Sequence, residues 1–308
     1  MPASSNRSCL VSETKDSAKP RWGQERRLAF IDLRLQYEGR INRRDLQGHF
    51  EISTPQASAD LELYRQSAPD NLHYDASQRV YLAGPDFVPV TGRSSATSYL
   101  DELYRLARGV VAPEESFVGF VPPTGVVATP ARAIGAEEVS TMVRAIRDRV
   151  VLRALYHSMN APAPVTRVIA PHALGFDGLR WHVRAWCYQR AAFRDFALGR
   201  LTVVGEEPAA EPINPADDTG WTTMADIILV PHPALSPTQR TAIMADYAMT
   251  DGRLHLPCRK AMLFYTLRHL NLQSPDILDD ASIQHVIVEN RDDVERWMRE
   301  DRALSKDA

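Results

Sequence analysis

Three helical stretches, each only a few residues from the next, run straight into two short β-like segments near the start of this 308-residue chain. In the first stretch, from Glu25, the residues Leu28, Ile31 and Leu35 recur at helical spacing and should face a core, with Arg26, Arg27 and Arg34 facing out. Gly39 follows as a residue that can take the left-handed conformation ending a helix. Asn42 opens the second helix as its N-cap, with Asp45 three residues on, and Leu46 and Phe50 on its buried side. Ser53 or Thr54 caps the third, Pro55 fits its first turn, and Ala57, Leu61 and Tyr64 line one face. Residues 71–74 and 79–82 then read as a hairpin joined by Asp75-Ala76-Ser77-Gln78. Three short helices, a tight turn between the second and third, and a hairpin predict a winged helix-turn-helix.

Downstream the hydrophobic period changes twice. Residues 84–93 read as a linker, 98–108 as an amphipathic helix with Leu100, Leu103 and Leu106 on one side, and 117–130 as extended chain. A helix over 136–150 leads into strand-like residues 151–157, and the period then shortens to two over 165–169, 181–188 and 193–198, with turns at 175–178 and 189–190. That pattern predicts a small, mostly antiparallel sheet with one leading helix. After an acidic, proline-rich linker at 206–219 come a strand at 227–230, helices at 238–247 and 259–270, a strand at 284–289 and a charged final helix. The expected class is α+β. Its divisions are a disordered tail (1–20), a winged helix (21–90), a helical linker (91–114), a central sheet domain (115–205) and a mixed carboxy-terminal domain (206–308).

The charge is distributed unevenly. A net −3 conceals +7 in residues 141–200, where ten arginines meet three aspartates and no glutamate, and −8 in residues 201–308. A GC-rich genome would give 32 arginines against four lysines with no function behind the bias, but would not explain the shortage of acids in one block. A local field of that kind implies an anionic partner. No stretch has the length and apolarity of a transmembrane helix, and the first residues lack the apolar core of a secretory signal. With Cys9, Cys187 and Cys258 far apart, no disulfide framework or cysteine metal site is expected, and the chain reads as cytoplasmic.

Two groups of residues are candidates for function. On the winged helix, Thr54, Gln56 and Ser58 near the start of the third helix are placed for base edges, and Arg43, Arg44 and Arg79 for phosphates of double-stranded DNA. A winged helix used for protein contacts is the alternative. In the sheet, strand alternation puts Arg180, His182 and Arg184 on one face and Trp181, Val183 and Ala185 on the other, with Arg194 and Arg200 expected to converge on the first. Guanidinium groups beside His182 and Tyr156 would suit a nucleotide or single strand; a solvated polar face is the competing reading. Histidines lack metal-ligand spacing, His255 and Cys258 have no further ligands nearby, and nucleophile and phosphate-loop motifs are absent, so neither metal, cofactor nor enzyme is expected.

Taken in order, these segments resemble a known family. The winged helix is followed by Tyr156-His157-Ser158, Pro171-His172, the strand Gly178-Leu179-Arg180-Trp181-His182-Val183, and Arg194-Asp195-Phe196-Ala197-Leu198-Gly199-Arg200-Leu201. This is similar to WYL-domain transcriptional regulators, in detail to the BrxR and CapW type of bacterial phage-defence islands. Of the triplet that names the domain, only Trp181 matches; His182 and Val183 replace tyrosine and leucine. The resemblance implies a homodimeric repressor on an inverted-repeat operator, with an Sm-like small β-barrel sensing a nucleotide or nucleic-acid fragment. It adds Ser158 to the expected ligand set of Tyr156, Arg180, His182, Arg184, Arg194 and Arg200. A ligand-dependent activator and a nucleic-acid-processing enzyme are the alternatives.

Overall fold

The structure is a computed structural model that describes residues 22–92, 95–208, 213–274 and 280–306; the expected tail at 1–20 lies outside them. The chain divides into two compact units, with the boundary between Ala128 and Thr129.

The first unit opens with α1 (Trp22–Glu38), β1 (Arg40–Ile41), α2 (Arg43–Phe50) and α3 (Thr54–Ser67). A hairpin of β2 (Leu72–Asp75) and β3 (Val80–Ala83) follows, and then α4 (Ala96–Ala107). Gly39 ends α1 at φ +70°, its N–H bonding to the carbonyl of Leu35. Asn42 and Asp45 form a reciprocal capping box on α2, and Ser53 caps α3 with Pro55 in its first turn. β1 pairs with β3 outside the hairpin, giving the order β1-β3-β2. Phe30, Ile31, Leu35, Ile41, Leu46, Leu61 and Tyr64 fill the core beneath.

Two arginines of α1 depart from the sequence expectation. Arg27 and Arg34 turn inward, with side chains only 17% and 14% exposed, because each meets acid. Arg27 grips the fully buried carboxylate of Asp60, and Arg34 pairs with Glu38 at 2.9 Å. Arg26 remains outside, its guanidinium 5.5 Å from the Phe117 ring.

The presumed linker after the hairpin is tied down by two buried polar side chains. Asp32 accepts from Tyr64 Oη (2.5 Å), the N–H groups of Val90 (3.1 Å) and Thr91 (3.0 Å), and the Thr91 hydroxyl (2.8 Å). Asn71 bonds both the N–H and the carbonyl of Val88. Burial and the bond to Asp32 push the Tyr64 hydroxyl pKa well above its ordinary value.

In the second unit, α5 (Ala136–Asp148) packs on a sheet of β4 (Val151–Tyr156), β5 (Val165–Phe176), β6 (Trp181–Cys187), β7 (Ala192–Ala197) and β8 (Leu201–Glu207). All ladders are antiparallel in the order β7-β6-β5-β4-β8; among the described residues they form an open series with no ladder joining the two edges. β8 was not expected: its burial alternates in the structure, but Gly205 and two glutamates interrupt the apolar pattern of the sequence, so a strand reading stops at Leu201. β5 continues through Pro171 because a bulge between Pro171 and Ala173 leaves His172 outside the pairing.

The remainder is α6 (Thr219–Thr222), β9 (Met224–Pro231), α7 (Pro237–Asp246), β10 (Leu254–Arg259), α8 (Leu263–His269), β11 (Val286–Val288) and α9 (Arg291–Lys306). β9 is central between β10 and β11, over a core of Ile227, Leu229, Leu263, Leu267 and Val294. The unexpected strand β10 contains Pro257, which a sheet tolerates because β10 is an edge strand.

Replacing Asp32 by alanine removes the acceptor for the Tyr64 hydroxyl and two backbone N–H groups at once. The expected cost is about 3 kcal/mol or more, seen as a lower denaturation midpoint of the full-length chain. An unchanged midpoint would contradict this role.

Candidate nucleic-acid and ligand sites

On the winged helix, Arg43, Arg44, Thr54, Gln56 and Arg79 are exposed and Ser58 is half-buried. Arg79 ends the hairpin turn at φ +56°, a conformation that a non-glycine residue adopts at some cost. Arg43 leans on the wing, its guanidinium 3.3 Å from the Tyr81 hydroxyl. At the start of α3, side chains are held rather than loose. Gln47 of α2 donates to the Thr54 hydroxyl at 2.9 Å, and Gln56 donates to Asp60 at 3.1 Å. Sequence reasoning had singled out neither Gln47 nor Asp60 for function.

In the second unit the expected arginine face is divided. Arg184 is 4% exposed, with Nε 2.7 Å and Nη2 2.9 Å from the two oxygens of Asp218, and Nη1 3.3 Å from Asp195. The bulge at His172 lets that ring reach Asp218 as well, at 2.9 Å. Asp218 also caps α6 through the Trp221 N–H. A second cluster forms around Asp177, which meets His182 Nε2 at 3.0 Å, Arg268 of α8 at 2.8 Å, and the N–H groups of Leu179 and Arg180. Arg180 Nε lies 3.5 Å from the same carboxylate. Tyr265 joins the clusters: its hydroxyl is 3.3 Å from Asp195 and its ring lies tilted against His182, 4.8 Å between centroids. Gly178, at φ +88°, gives the turn its room, since a Cβ there would meet the His269 ring at 2.6 Å.

Arg180, His182 and Arg184 therefore share a face, as alternation requires, but it is the face that the carboxy-terminal domain covers. Their charges are matched by Asp177, Asp195 and Asp218. Burial alone would raise the pKa of Asp177 and Asp218. For Asp218, bonds from Arg184 and His172 outweigh it; for Asp177, bonds from His182 and two backbone N–H groups do so. Both carboxyls are held at about 2.

Arg194 does not converge with them. It stands opposite Ala185, whose side chain is in the sheet core, so Arg194 projects on the α5 side while its neighbour Asp195 stands opposite Arg184. Burial, and the nearby cations Arg190 and Arg167, lower the Arg194 pKa. On the same side the Tyr156 ring packs edge-on to Phe196, and its hydroxyl accepts from the Ala197 N–H at 3.4 Å. Ser158 accepts from the Asn160 N–H, and half-buried Arg200 accepts from the His157 N–H through its carbonyl.

The histidine and cysteine weighed as metal ligands have ordinary partners. His255 pairs with Asp226, and Cys258 Sγ lies 3.0 Å from the Thr266 hydroxyl. Among the described residues no three His, Cys, Asp or Glu side chains gather as metal ligands would, and no helix is long and apolar enough to cross a membrane.

Comparison with known proteins matches the three regions in turn. Residues 23–105 match the winged helix-turn-helix domain of BrxR transcriptional regulators, 137–205 the WYL domain, and 224–294 the C-terminal dimerization domain of BrxR regulators. The chain is 62% identical to the DNA-binding transcriptional repressor CapW of Stenotrophomonas maltophilia, over 94% of its own length and 97% of the relative's. It belongs to the CapW family of transcriptional repressors. Further members from Escherichia coli and Pseudomonas aeruginosa are 42% and 41% identical, each over 89% of this chain and 91% of their own. In this CapW-family chain the boundary between WYL and carboxy-terminal regions is bridged by the Arg184–Asp218 and Asp177–Arg268 pairs, which no linear spacing announces.

Two outcomes follow from those pairs. Arg184→Ala strands the buried Asp218 carboxylate and should cost about 3–5 kcal/mol, read as a drop in thermal midpoint; a change within experimental scatter would contradict it. The folded-state values of Asp177 and Asp218 lie below the ordinary carboxylate value of 3.8. Their stabilisation is thus complete above about pH 4 and lost as pH falls toward 2. Chemical denaturation from pH 5 to 2 should show this loss, and Asp218→Asn should flatten it. Equal pH dependence in both proteins would contradict the assignment.

Proposed function

We propose that this chain is a homodimeric repressor of a phage-defence operon. Its winged helix binds an inverted-repeat operator, its carboxy-terminal domain pairs two copies, and its WYL domain releases the DNA on binding a nucleotide or nucleic-acid fragment. The observation that carries the repressor reading is the co-linear match of all three regions in a chain 62% identical to a repressor. Relatives named as repressors also favour release over ligand-dependent activation. Exposed Thr54 and Gln56 on α3, with Arg43, Arg44 and Arg79 at the start of α2 and on the wing, suit base and phosphate contacts respectively. One winged helix with no arginine at its reading tip binds weakly, and pairing raises its effective concentration at the second half-site.

For the ligand, the ten arginines in residues 141–200, Arg194 among them, suit a phosphate-bearing molecule, because guanidinium forks match phosphate oxygens. Arg180, His182 and Arg184 act in this reading as the tie between WYL and carboxy-terminal regions. To release DNA, the ligand must bind the DNA-free geometry more tightly than the DNA-bound one.

The test is a gel shift of the full-length chain on its own upstream DNA at stated salt, titrated with short single-stranded oligonucleotides and with cyclic nucleotides. Wild type should shift the DNA, and one of the probes should release it. Arg194→Ala should bind DNA within about twofold of wild type and resist the releasing probe. Loss of apo DNA binding in that variant, or undiminished release, would contradict the assignment of Arg194.

A further inference from the structure

We infer that Gln56 reads adenine, and that the buried Asp60–Arg27 pair behind it dictates the choice. This deepens the DNA-binding reading above and rests on it. Gln56 is exposed in the first turn of α3, four residues before Asp60, and donates through Nε2 to Asp60 Oδ1 at 3.1 Å. Asp60 is fully buried and held by Arg27 of α1, with Nε 2.6 Å from Oδ2 and Nη2 3.2 Å from Oδ1.

The consequence is chemical. A side-chain amide has a donor end and an acceptor end, and a free glutamine can turn either toward a base. An ion-paired carboxylate only accepts, so Asp60 takes the NH₂ end, and turning the amide over would set oxygen against oxygen. Gln56 is left presenting its carbonyl oxygen and the second N–H of its amide. In the major groove adenine complements that pair, offering the N6 amine as donor and N7 as acceptor. Guanine offers two acceptors, O6 and N7, and would oppose the carbonyl; cytosine offers one donor and thymine one acceptor with a methyl group. Asp60 and Arg27 reach no base themselves. They are positioning residues.

The experiment selects full-length protein against duplexes carrying its upstream site with both half-sites randomised, and reads base frequencies at every position. Wild type should show a position in each half-site where adenine exceeds guanine by about tenfold or more. Gln56→Ala should abolish that preference while leaving other positions unchanged, and Gln56→Glu should move it to cytosine. Asp60→Asn, checked for folding by circular dichroism, frees the amide to turn and should reduce the adenine-over-guanine ratio below about threefold at that position. Because a buried substitution can unfold the domain, the positioning is also read in the free wild-type chain. One of the two Gln56 side-chain amide protons should be slow to exchange by nuclear magnetic resonance. A Gln56→Ala profile matching wild type, a lost preference for any base but adenine, or two equally fast Gln56 amide protons would overturn the inference. Absence of any base preference in the wild-type selection would instead remove the repressor reading beneath it.

Discussion

The Arg184–Asp218 pair holds the second unit together. A guanidinium on the outer face of the sheet is 4% exposed, and such a charge is costly to bury unless an acid meets it with good geometry. Asp218 meets it on two nitrogens while capping α6 and accepting from His172, and Asp195 takes a third nitrogen. The acids of the carboxy-terminal region and the arginines of the sheet, so lopsided along the sequence, are in part each other's counter-ions. The Arg184–Asp218 and Arg153–Glu207 pairs neutralise part of the +7 that residues 141–200 carry.

The first unit uses buried acids in a related way. Asp32 organises hydroxyl and backbone donors, and Asp60 organises a guanidinium and the amide of Gln56. In both, a carboxylate without solvent fixes the orientation of groups that would otherwise choose among several partners. One such group, Gln56, lies on α3, the helix proposed above to read DNA.

Much of the architecture was legible because it is written in local periodicity and capping. The Asn42–Asp45 box, Ser53 with Pro55, and Gly39 mark the helix ends of the winged helix within a residue or two. Strands β8 and β10 were missed because glycine, charge or proline interrupts the pattern that tertiary pairing then overrides. Alternation placed Arg180, His182 and Arg184 on one face correctly, but a period of two cannot say what covers that face. Nor does it say that Arg194, one residue from the partner of Arg184 in the ladder, points the opposite way; that needs the register of β6 against β7. Arg27 and Arg34 sit at outward helical positions; Glu38, four residues after Arg34 on α1, is visible to a helical wheel, but Asp60, which draws Arg27 inward, lies on α3 and is not.

In the function proposed above, two copies of this chain grip one operator symmetrically and let go together. Hydroxyl-radical footprinting of the upstream DNA tests it most directly. The account predicts two protected stretches related by a dyad, their centres about 34–36 Å or a multiple of that apart along the duplex, both fading when the releasing oligonucleotide or nucleotide is added. A single asymmetric footprint, or protection spread evenly over unrelated sequence, would contradict it.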